Sequence, residues 1–304
     1  MFEIVAKSGT DGIADVYVAR EKGGRGRIFE FVDGLDHRYK RQDKWIINIS
    51  TQFGCPLNCL FCDASHTFEG NIALELMMGQ ISAVLKMHDE SLKKTCRKLK
   101  VHFARMGEPA LNPSVPEAIG SLRNMTDNPD LWACVATTLP KGSGSWLRRL
   151  REAKEMHFRG RFQLQFSINS TDDSHRSKLM PFDYEDLGKA AEFGAYFFTK
   201  GDRKVALNFA LAKGVAVEPD KIRRLFDPEI FAIKLTPLNP TSKGRESGLS
   251  SAFQPVDSTC VISLVEEFRD AGFETVLSIG DQRENEIGSN CGQAARSVLD
   301  NAAL

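Results

Sequence analysis

Three cysteines lie close together in the run Cys55-Pro-Leu-Asn-Cys59-Leu-Phe-Cys62. This spacing lets one loop direct three thiolates at one point, and thiolates are soft ligands that suit zinc and iron–sulfur clusters. A closed metal site usually has four protein ligands, but no fourth Cys or His follows at a fixed short spacing, His66 being the nearest. The run therefore predicts a metal centre with one position open to a substrate or cofactor, which indicates catalysis.

Two other interpretations of the run stay open at this point. The cysteines could form a zinc knuckle, or they could be scattered buried residues that behave as small apolar side chains. The chain has seven cysteines, an odd number, and three of them are clustered. This usage disfavours the disulfide framework of a small secreted protein.

The bulk composition is that of a globular protein without a global charge. With 304 residues and 42% apolar content, the chain can bury a full core in one large α/β domain. Forty basic residues balance forty acidic ones, so no net field attracts nucleic acid, and the local basic run at 93–100 is interpreted as a solvated helix face leading into a strand. The chain has no signal segment and no run of 18 apolar residues, so we expect a cytoplasmic protein with no membrane partner.

Short apolar runs alternate with longer amphipathic segments along most of the chain, which predicts parallel βαβ units. About six such units are expected, fewer than the eight of a complete TIM barrel. Strands are predicted at 45–49, 101–104, 133–138, 162–168, 205–211, 230–235 and 275–279. Helices are predicted at 73–88, 115–124, 145–157, 184–193, 221–226 and 262–271.

The amino-terminal segment has a different pattern. Residues 14–19 and 27–32 read as strands joined by the turn Gly23-Gly24-Arg25-Gly26. We therefore predict a small β cap over residues 1–40 and a barrel with a carboxy-terminal extension over residues 41–304.

Polar residues follow the ends of several predicted strands, where the chemistry of such folds gathers. Gly107 and Glu108 come directly after the second barrel strand. A carboxylate there can accept hydrogen bonds from an ammonium group, and glycine lets the backbone approach a ligand closely. Four further residues lie at later strand ends: Thr137, Ser167, Asn169 and Asn239. Asn and Ser are also common turn formers, so each position taken singly has an equally good structural explanation.

Together, these segments resemble a known group of enzymes. The cysteine run is similar to the signature of radical S-adenosylmethionine (SAM) enzymes, in which three cysteines bind a [4Fe–4S] cluster and SAM chelates the fourth iron. The order and intervals of the later motifs resemble the RlmN/Cfr family, radical SAM enzymes that methylate adenosine in ribosomal RNA. Those motifs are Met-Gly-Glu-Pro, the segment 167–181, Thr-Pro-Leu-Asn-Pro at 236–240 and Cys291-Gly292-Gln293.

The resemblance spans roughly residues 45 to 295 and implies a partial (β/α)6 barrel with a small amino-terminal β element. It implies a [4Fe–4S] cluster on three cysteines: Cys55, Cys59 and Cys62. It implies SAM contacts from six residues: Gly107, Glu108, Thr137, Ser167, Asn169 (where the family usually has His) and Asn239. An electron donor such as flavodoxin or ferredoxin would then be a partner.

The resemblance fails at two places. In the family, the cysteine matched by Cys291 carries a methyl group, and a second cysteine, seven residues before the first cluster cysteine, releases the enzyme–RNA adduct. Here that place holds Asn48, and an amide cannot perform thiol exchange. The family also has a helical domain before the barrel, whereas the residues before Cys55 read as strands.

Three functions follow as expectations. The main prediction is a radical SAM enzyme whose 5′-deoxyadenosyl radical abstracts hydrogen from an unidentified small molecule, nucleotide or peptide, with RNA unsupported as substrate. The alternative is an RlmN/Cfr-type methyltransferase with Cys291 as methyl carrier. The third is a non-catalytic protein that binds zinc or a redox-sensing cluster, which leaves Glu108 and Asn239 without a role.

Overall fold

The structure is a computed structural model that describes residues 1–253, 259–281 and 283–302. Its strands are β1 (Phe2–Thr10), β2 (Ala14–Glu21), β3 (Ile28–Leu35), β4 (Trp45–Ile49), β5 (Gln52–Gly54), β6 (Phe68–Asn71), β7 (Leu99–Phe103), β8 (Leu131–Thr137), β9 (Phe162–Ser167), β10 (Val205–Leu211), β11 (Phe231–Pro237) and β12 (Glu274–Leu277). Its helices are α1 (Leu74–Lys86), α2 (Glu90–Thr95), α3 (Val115–Ser121), α4 (Gly144–His157), α5 (Asp173–Leu179), α6 (Leu187–Phe197), α7 (Pro219–Leu225), α8 (Ser242–Glu246), α9 (Thr259–Asp270), α10 (Arg283–Glu286) and α11 (Gln293–Ala302).

Ten of these strands form one sheet, in the order β1-β2-β3-β4-β7-β8-β9-β10-β11-β12. All neighbouring strands from β4 to β12 are parallel, and the chain returns through helices between them. The six strands from β4 to β11 correspond to the predicted (β/α)6 units, and β12 adds a seventh parallel strand. The predicted α/β class with a large parallel sheet is confirmed.

The two faces of this sheet differ in polarity. Phe166 on β9 and Phe231 on β11 are buried and pack against Gly194 of α6, where a Cβ would stand 2.2 Å from the Phe231 ring. Neighbouring residues point the other way, and Gln163 and Gln165 accept hydrogen bonds from lysines on that face. Parallel sheets are usually apolar on both faces, so a polar inner face marks the inside of the barrel as unusual.

The amino-terminal strands continue the sheet. β1, β2 and β3 are antiparallel neighbours, and β3 pairs antiparallel with β4. The predicted strands at 14–19 and 27–32 are β2 and β3, whereas β1 was not predicted. Helix α11 packs against β2 and β3, so the two ends of the described chain meet. The division into domains at residue 40 stays a prediction.

Two helices depart from the sequence prediction because of their amino-terminal caps. The helix predicted at 184–193 runs from Leu187 to Phe197, since Asp186 accepts a hydrogen bond from Lys189 N at 2.8 Å and starts it. Helix α5 was not predicted, and Asp172 caps it by accepting from His175 N at 2.9 Å. In the described part of the chain, the helices are too short or too polar to cross a membrane.

Candidate active site

The cysteine run forms a loop that leads from β5 to a 3₁₀ turn (Asp63–His66). Cys55 N donates to Thr67 O at 3.0 Å, which closes the base of the loop. Ser65 Oγ lies 2.5 Å from Cys62 O and 3.2 Å from Cys59 O, so one hydroxyl holds the end of the loop. Cys59 is buried, and Cys55 and Cys62 are partly buried. All three thiols therefore lie in a largely dry loop.

Burial disfavours the charged form of two of the cysteines in this loop. Burial raises the pKa of Cys55 to about 12, and it raises the pKa of Cys59 well above the ordinary thiol value, with repulsion from Cys62 adding to both. Bound iron would stabilise the thiolates, and three thiol donors from one loop fit a [4Fe–4S] cluster. In the described chain, no three His, Cys, Asp or Glu side chains stand close enough to share a single ion. In a cluster, each cysteine binds a different iron.

A fourth thiol reaches the same loop from the far end of the chain. The Cys291 thiol donates to Arg105 O at 2.5 Å and lies beside the thiol of Cys62. The neighbouring Cys291 lowers the pKa of Cys62, and Cys62 together with burial raises the pKa of Cys291. Gly292 makes the approach feasible, because a Cβ there would stand 2.1 Å from Ala64 N. The structure thus brings Cys291 beside the predicted cluster ligands.

Glu30 on β3 holds the Cys291 segment in place. Its carboxylate is fully buried and accepts hydrogen bonds from Gly292 N at 2.6 Å and Ala295 N at 2.9 Å, at the start of α11. Arg105 Nε lies 2.7 Å from the same carboxylate. Sequence reasoning missed Glu30, although a charged residue inside the apolar run Ile28–Leu35 indicates a buried group that needs a partner.

Asp63 joins three segments around the cysteine loop. Its buried carboxylate accepts from Ser242 N at 3.0 Å and Lys243 N at 2.8 Å, at the start of α8, and from Arg296 Nη1 of α11 at 3.1 Å. The hydroxyl of Thr241 also donates to Phe61 O at 3.0 Å. Sequence reasoning missed Asp63, because its partners lie far away along the chain.

Glu108, which follows β7, lies beside Thr137, which ends the neighbouring strand β8. Glu108 is buried and accepts from Thr137 Oγ1 at 2.5 Å, from Thr138 N and Oγ1 at 2.8 Å each, and from Ala110 N at 2.9 Å. Burial raises its pKa, and these four donors oppose that effect. Glu108 N donates to Gln52 Oε1 at 2.8 Å, which links this carboxylate to the strand that leads into the cysteine loop.

Gly107 takes a conformation that other residues rarely adopt. Its φ is 99°, and a Cβ would stand 2.5 Å from Gln52 Cβ. This backbone conformation and the close approach of Gln52 are enough to explain a glycine at position 107. The predicted contact of Gly107 with SAM stays a prediction.

The other predicted SAM contacts occupy different surroundings. Asn169 is buried, with its Nδ2 3.3 Å from Met180 Sδ and its Oδ1 accepting from Ala210 N at 3.2 Å. Ser167 ends β9 opposite Asn208 of β10. Asn239 is exposed and lines a pocket of about 330 Å³ with segment 279–281. Their ligand roles stay predictions.

The sequence is similar to proteins named as RNA methyltransferases. The probable dual-specificity RNA methyltransferase RlmN of Streptomyces coelicolor is 25% identical over 263 residues, which cover 84% of this chain and 68% of that protein. The ribosomal RNA large subunit methyltransferase N of Nitrosopumilus maritimus is 24% identical, covering 83% of this chain and 68% of that protein. No protein-family model matches the chain.

A solved structure has the same fold. The crystal structure of a radical SAM methyltransferase from Sphaerobacter thermophilus superposes with a TM-score of 0.74 at 19% identity, covering 96% of this chain and 80% of that chain. The predicted resemblance to RlmN-type radical SAM methyltransferases is confirmed, and with it the cofactors of that family, a [4Fe–4S] cluster and SAM. These relatives favour the alternative prediction, a methyltransferase, over the main prediction, an enzyme that abstracts hydrogen but transfers no methyl group.

Proposed function

We propose that this protein is a radical SAM methyltransferase in which Cys291 carries the methyl group. The observation that supports this most is the close approach of the Cys291 segment to the cysteine loop, where Gly292 packs directly against Ala64 and Cys291 lies beside Cys62. A methyl carrier must reach SAM, and SAM in this proposal sits on the iron left open by the three cysteines. Cys291 lies far from the cysteine loop along the chain. It is held beside the loop because Glu30 accepts hydrogen bonds from Gly292 N and Ala295 N at the start of α11.

The cofactors supply the radical chemistry, and the chain supplies placement. When bound, the cluster and SAM would provide reductive cleavage of SAM to methionine and a 5′-deoxyadenosyl radical. Cys55, Cys59 and Cys62 would hold the cluster. Glu108 would accept hydrogen bonds from the ammonium group of SAM, with the Thr138 hydroxyl turning away to make room. Cys291 would lose its thiol proton and accept a methyl group from SAM, which leaves S-adenosylhomocysteine.

RNA is the substrate class that the relatives suggest, since their names specify RNA methyltransferases. We extend this to the present chain as part of the proposal. The Cys291 thiol is partly buried beside the cysteine loop, so it could act on a base only when that base is taken out of its stack. Single-stranded or looped RNA is therefore the substrate to test first.

One observation favours hydrogen abstraction without methyl transfer as a second candidate. Asn48 lies on β4, in register with Val32 of β3 and His102 of β7, where the resemblance leads us to expect a releasing cysteine. An amide cannot cleave a covalent adduct by thiol exchange. A reaction without an adduct needs no such cysteine.

The test is mass spectrometry of the Cys291 peptide after anaerobic incubation of the cluster-loaded protein with SAM and a reductant. A methyl group on Cys291, with S-adenosylhomocysteine released, is the expected result. Cys291→Ser should abolish it, whereas Cys260→Ser, at an exposed free thiol, should leave it unchanged. An unmodified Cys291 together with 5′-deoxyadenosine would overturn methyl transfer and support the second candidate. Methylated adenosine in added RNA would establish the substrate class.

A further inference from the structure

A cavity of about 720 Å³ lies inside the barrel, away from the cysteine loop. Several of its lining residues lie at the amino-terminal ends of the parallel strands, such as Lys100 on β7, Ala206 on β10 and Glu274 on β12. Glu108 and Thr137 lie at the opposite, carboxyl ends of β7 and β8. The cavity is thus separate from the candidate active site, and its size is typical of a pocket for one small molecule.

Cations outnumber anions around this cavity. The basic lining residues are Arg38, Lys44, Lys98, Lys100, Arg203, Lys204 and Lys234, and the acidic ones are Asp36, Asp202 and Glu274. Two of the three acids are already engaged, since Asp36 pairs with Arg38 and Lys44, and Asp202 pairs with Lys154.

The two innermost lysines have neutral partners only. Lys100 is 7% exposed and donates to Gln163 Oε1 at 2.8 Å, and Lys234 donates to Gln165 Oε1 at 3.2 Å. Among the residues that the structure describes, no carboxylate pairs with either ammonium group. Burial lowers the pKa of Lys234 to about 8, and repulsion from Lys100 adds to this. Lys100 is buried and Lys234 is partly buried. Lysines that are removed from solvent without an anionic partner are rare and costly, so the arrangement lacks a counter-charge.

A partly buried histidine in the same wall has an unused polar atom. His102 Nε2 is shielded from solvent and has no hydrogen-bond partner within the described chain. Burial and the neighbouring Lys100 and Lys234 hold the pKa of His102 well below its ordinary value, so the ring is neutral. A neutral ring protonated at Nε2 can donate one hydrogen bond to an oxygen of a ligand.

We propose that this cavity binds the phosphate groups of a small phosphorylated molecule, with Lys100 and Lys234 as its main contacts and His102 as a further donor. A phosphate group brings both the negative charge and the acceptor oxygens that these side chains lack. Lys98 and Arg203 stack over the ring of Trp132 and add positive charge nearby. A small ligand fits better than a nucleic-acid strand, because the charges lie inside the curved sheet and the chain as a whole is neutral.

The test is calorimetric titration of the full, cluster-loaded chain with inorganic phosphate, pyrophosphate and ATP. We expect pyrophosphate or ATP to bind the wild-type protein and to bind the double variant Lys100→Met/Lys234→Met at least tenfold more weakly. Tighter binding of ATP would indicate a nucleotide, and equal binding would indicate the phosphate groups alone. Lys213→Met, at an exposed lysine outside the cavity, is the matched control and should bind like wild type.

Thermal unfolding provides a second measurement that separates this proposal from a merely structural role. Without ligand, the double variant should melt at the same or a higher temperature, because one buried and one partly buried charge without carboxylate partners are gone. Pyrophosphate should then raise the melting temperature of the wild type only. If the double variant fails to fold, Lys98→Met gives the same comparison. Equal binding by wild type and variant, or no binding by wild type, would overturn the proposal.

Discussion

Glu30 and Arg105 form a buried ion pair, with Arg105 Nε 2.7 Å from Glu30 Oε1. The pair joins β3 to the loop after β7, and each partner also contacts the segment that contains Cys291. Glu30 accepts from Gly292 N, and the carbonyl of Arg105 accepts from the Cys291 thiol. The position of the proposed methyl carrier therefore depends on an amino-terminal strand outside the parallel barrel.

The first prediction concerns Glu30→Gln. The variant leaves the Arg105 guanidinium, 7% exposed, without its carboxylate, and breaking a buried pair typically costs about 3–5 kcal/mol. We expect a loss of that order in the free energy of unfolding, measured by urea at pH 7. Glu90→Gln is the control, because Glu90 pairs with Lys93 on the surface and should matter little. Equal stabilities of the two variants would contradict the role given to Glu30.

The second prediction concerns Gly292→Ala. The new Cβ would stand 2.1 Å from Ala64 N, in the turn that follows Cys62, so one of the two segments must move. We expect less iron and sulfide per chain after reconstitution. Gly288→Ala is a matched control, since Gly288 also has a positive φ, but its nearest neighbour is Gln293 Cγ at 4.0 Å. Both variants bear a left-handed backbone cost of roughly 1–2 kcal/mol, and only Gly292→Ala adds a clash. Equal cluster loading of the two would contradict the close approach.

The sequence predicts those parts of the fold that local pattern determines. Strand β4 begins and ends at Trp45 and Ile49 as predicted, because four of its five residues are apolar and polar residues follow at once. Strand β1 (Phe2–Thr10) was missed because most of its side chains are exposed and polar ones interrupt any alternation. The basic run was interpreted as solvated, yet Lys100 faces the cavity, since its position on β7 directs it inward.

In the candidate site, too, local sequence pattern predicts some features, whereas contacts between distant segments cannot be predicted. The three cysteines could be grouped from spacing alone, and the position of Glu108 after a strand could be predicted from the strand pattern, while its contact with SAM stays a prediction. Glu30 and Asp63 could not, because each acts through segments that approach it only in the folded chain. A single sequence does not reveal which distant backbone amides will need a carboxylate.

The third prediction concerns Glu108→Gln and the binding of SAM. Hydrogen bonds to charged groups contribute about 1.5–3 kcal/mol each, so loss of the carboxylate should weaken SAM binding roughly 10- to 150-fold. Equilibrium dialysis with the cluster-loaded protein measures this, and iron content should stay at the wild-type level. Glu117→Gln, in the first turn of α3, is the control. Unchanged affinity for SAM would show that Glu108 serves only to join Thr137 and Thr138 to its own loop.

The fourth prediction is a pH dependence of stability from Lys234. Its pKa is about 8 in the folded protein against an ordinary value of 10.5, because burial and the nearby charges of Lys100 and Lys44 disfavour the ammonium form. Between these two values the unfolded chain binds more protons than the folded chain, so stability should rise with pH. The rise from this group amounts to about 3 kcal/mol at most, at about 1.4 kcal/mol for each pH unit of difference.

Urea unfolding of wild type and Lys234→Met at pH 8 and pH 10, under reducing conditions, measures this effect. The difference between the free energies of unfolding of the two proteins reports the contribution of Lys234, because the other lysines titrate in both proteins. We expect the stability of the wild type relative to the variant to increase toward pH 10. Saturating pyrophosphate should flatten that increase, because a bound anion favours the charged ammonium and raises its pKa. Parallel pH profiles without ligand would mean that Lys234 is ordinarily solvated, and the charge argument for the cavity would then fail.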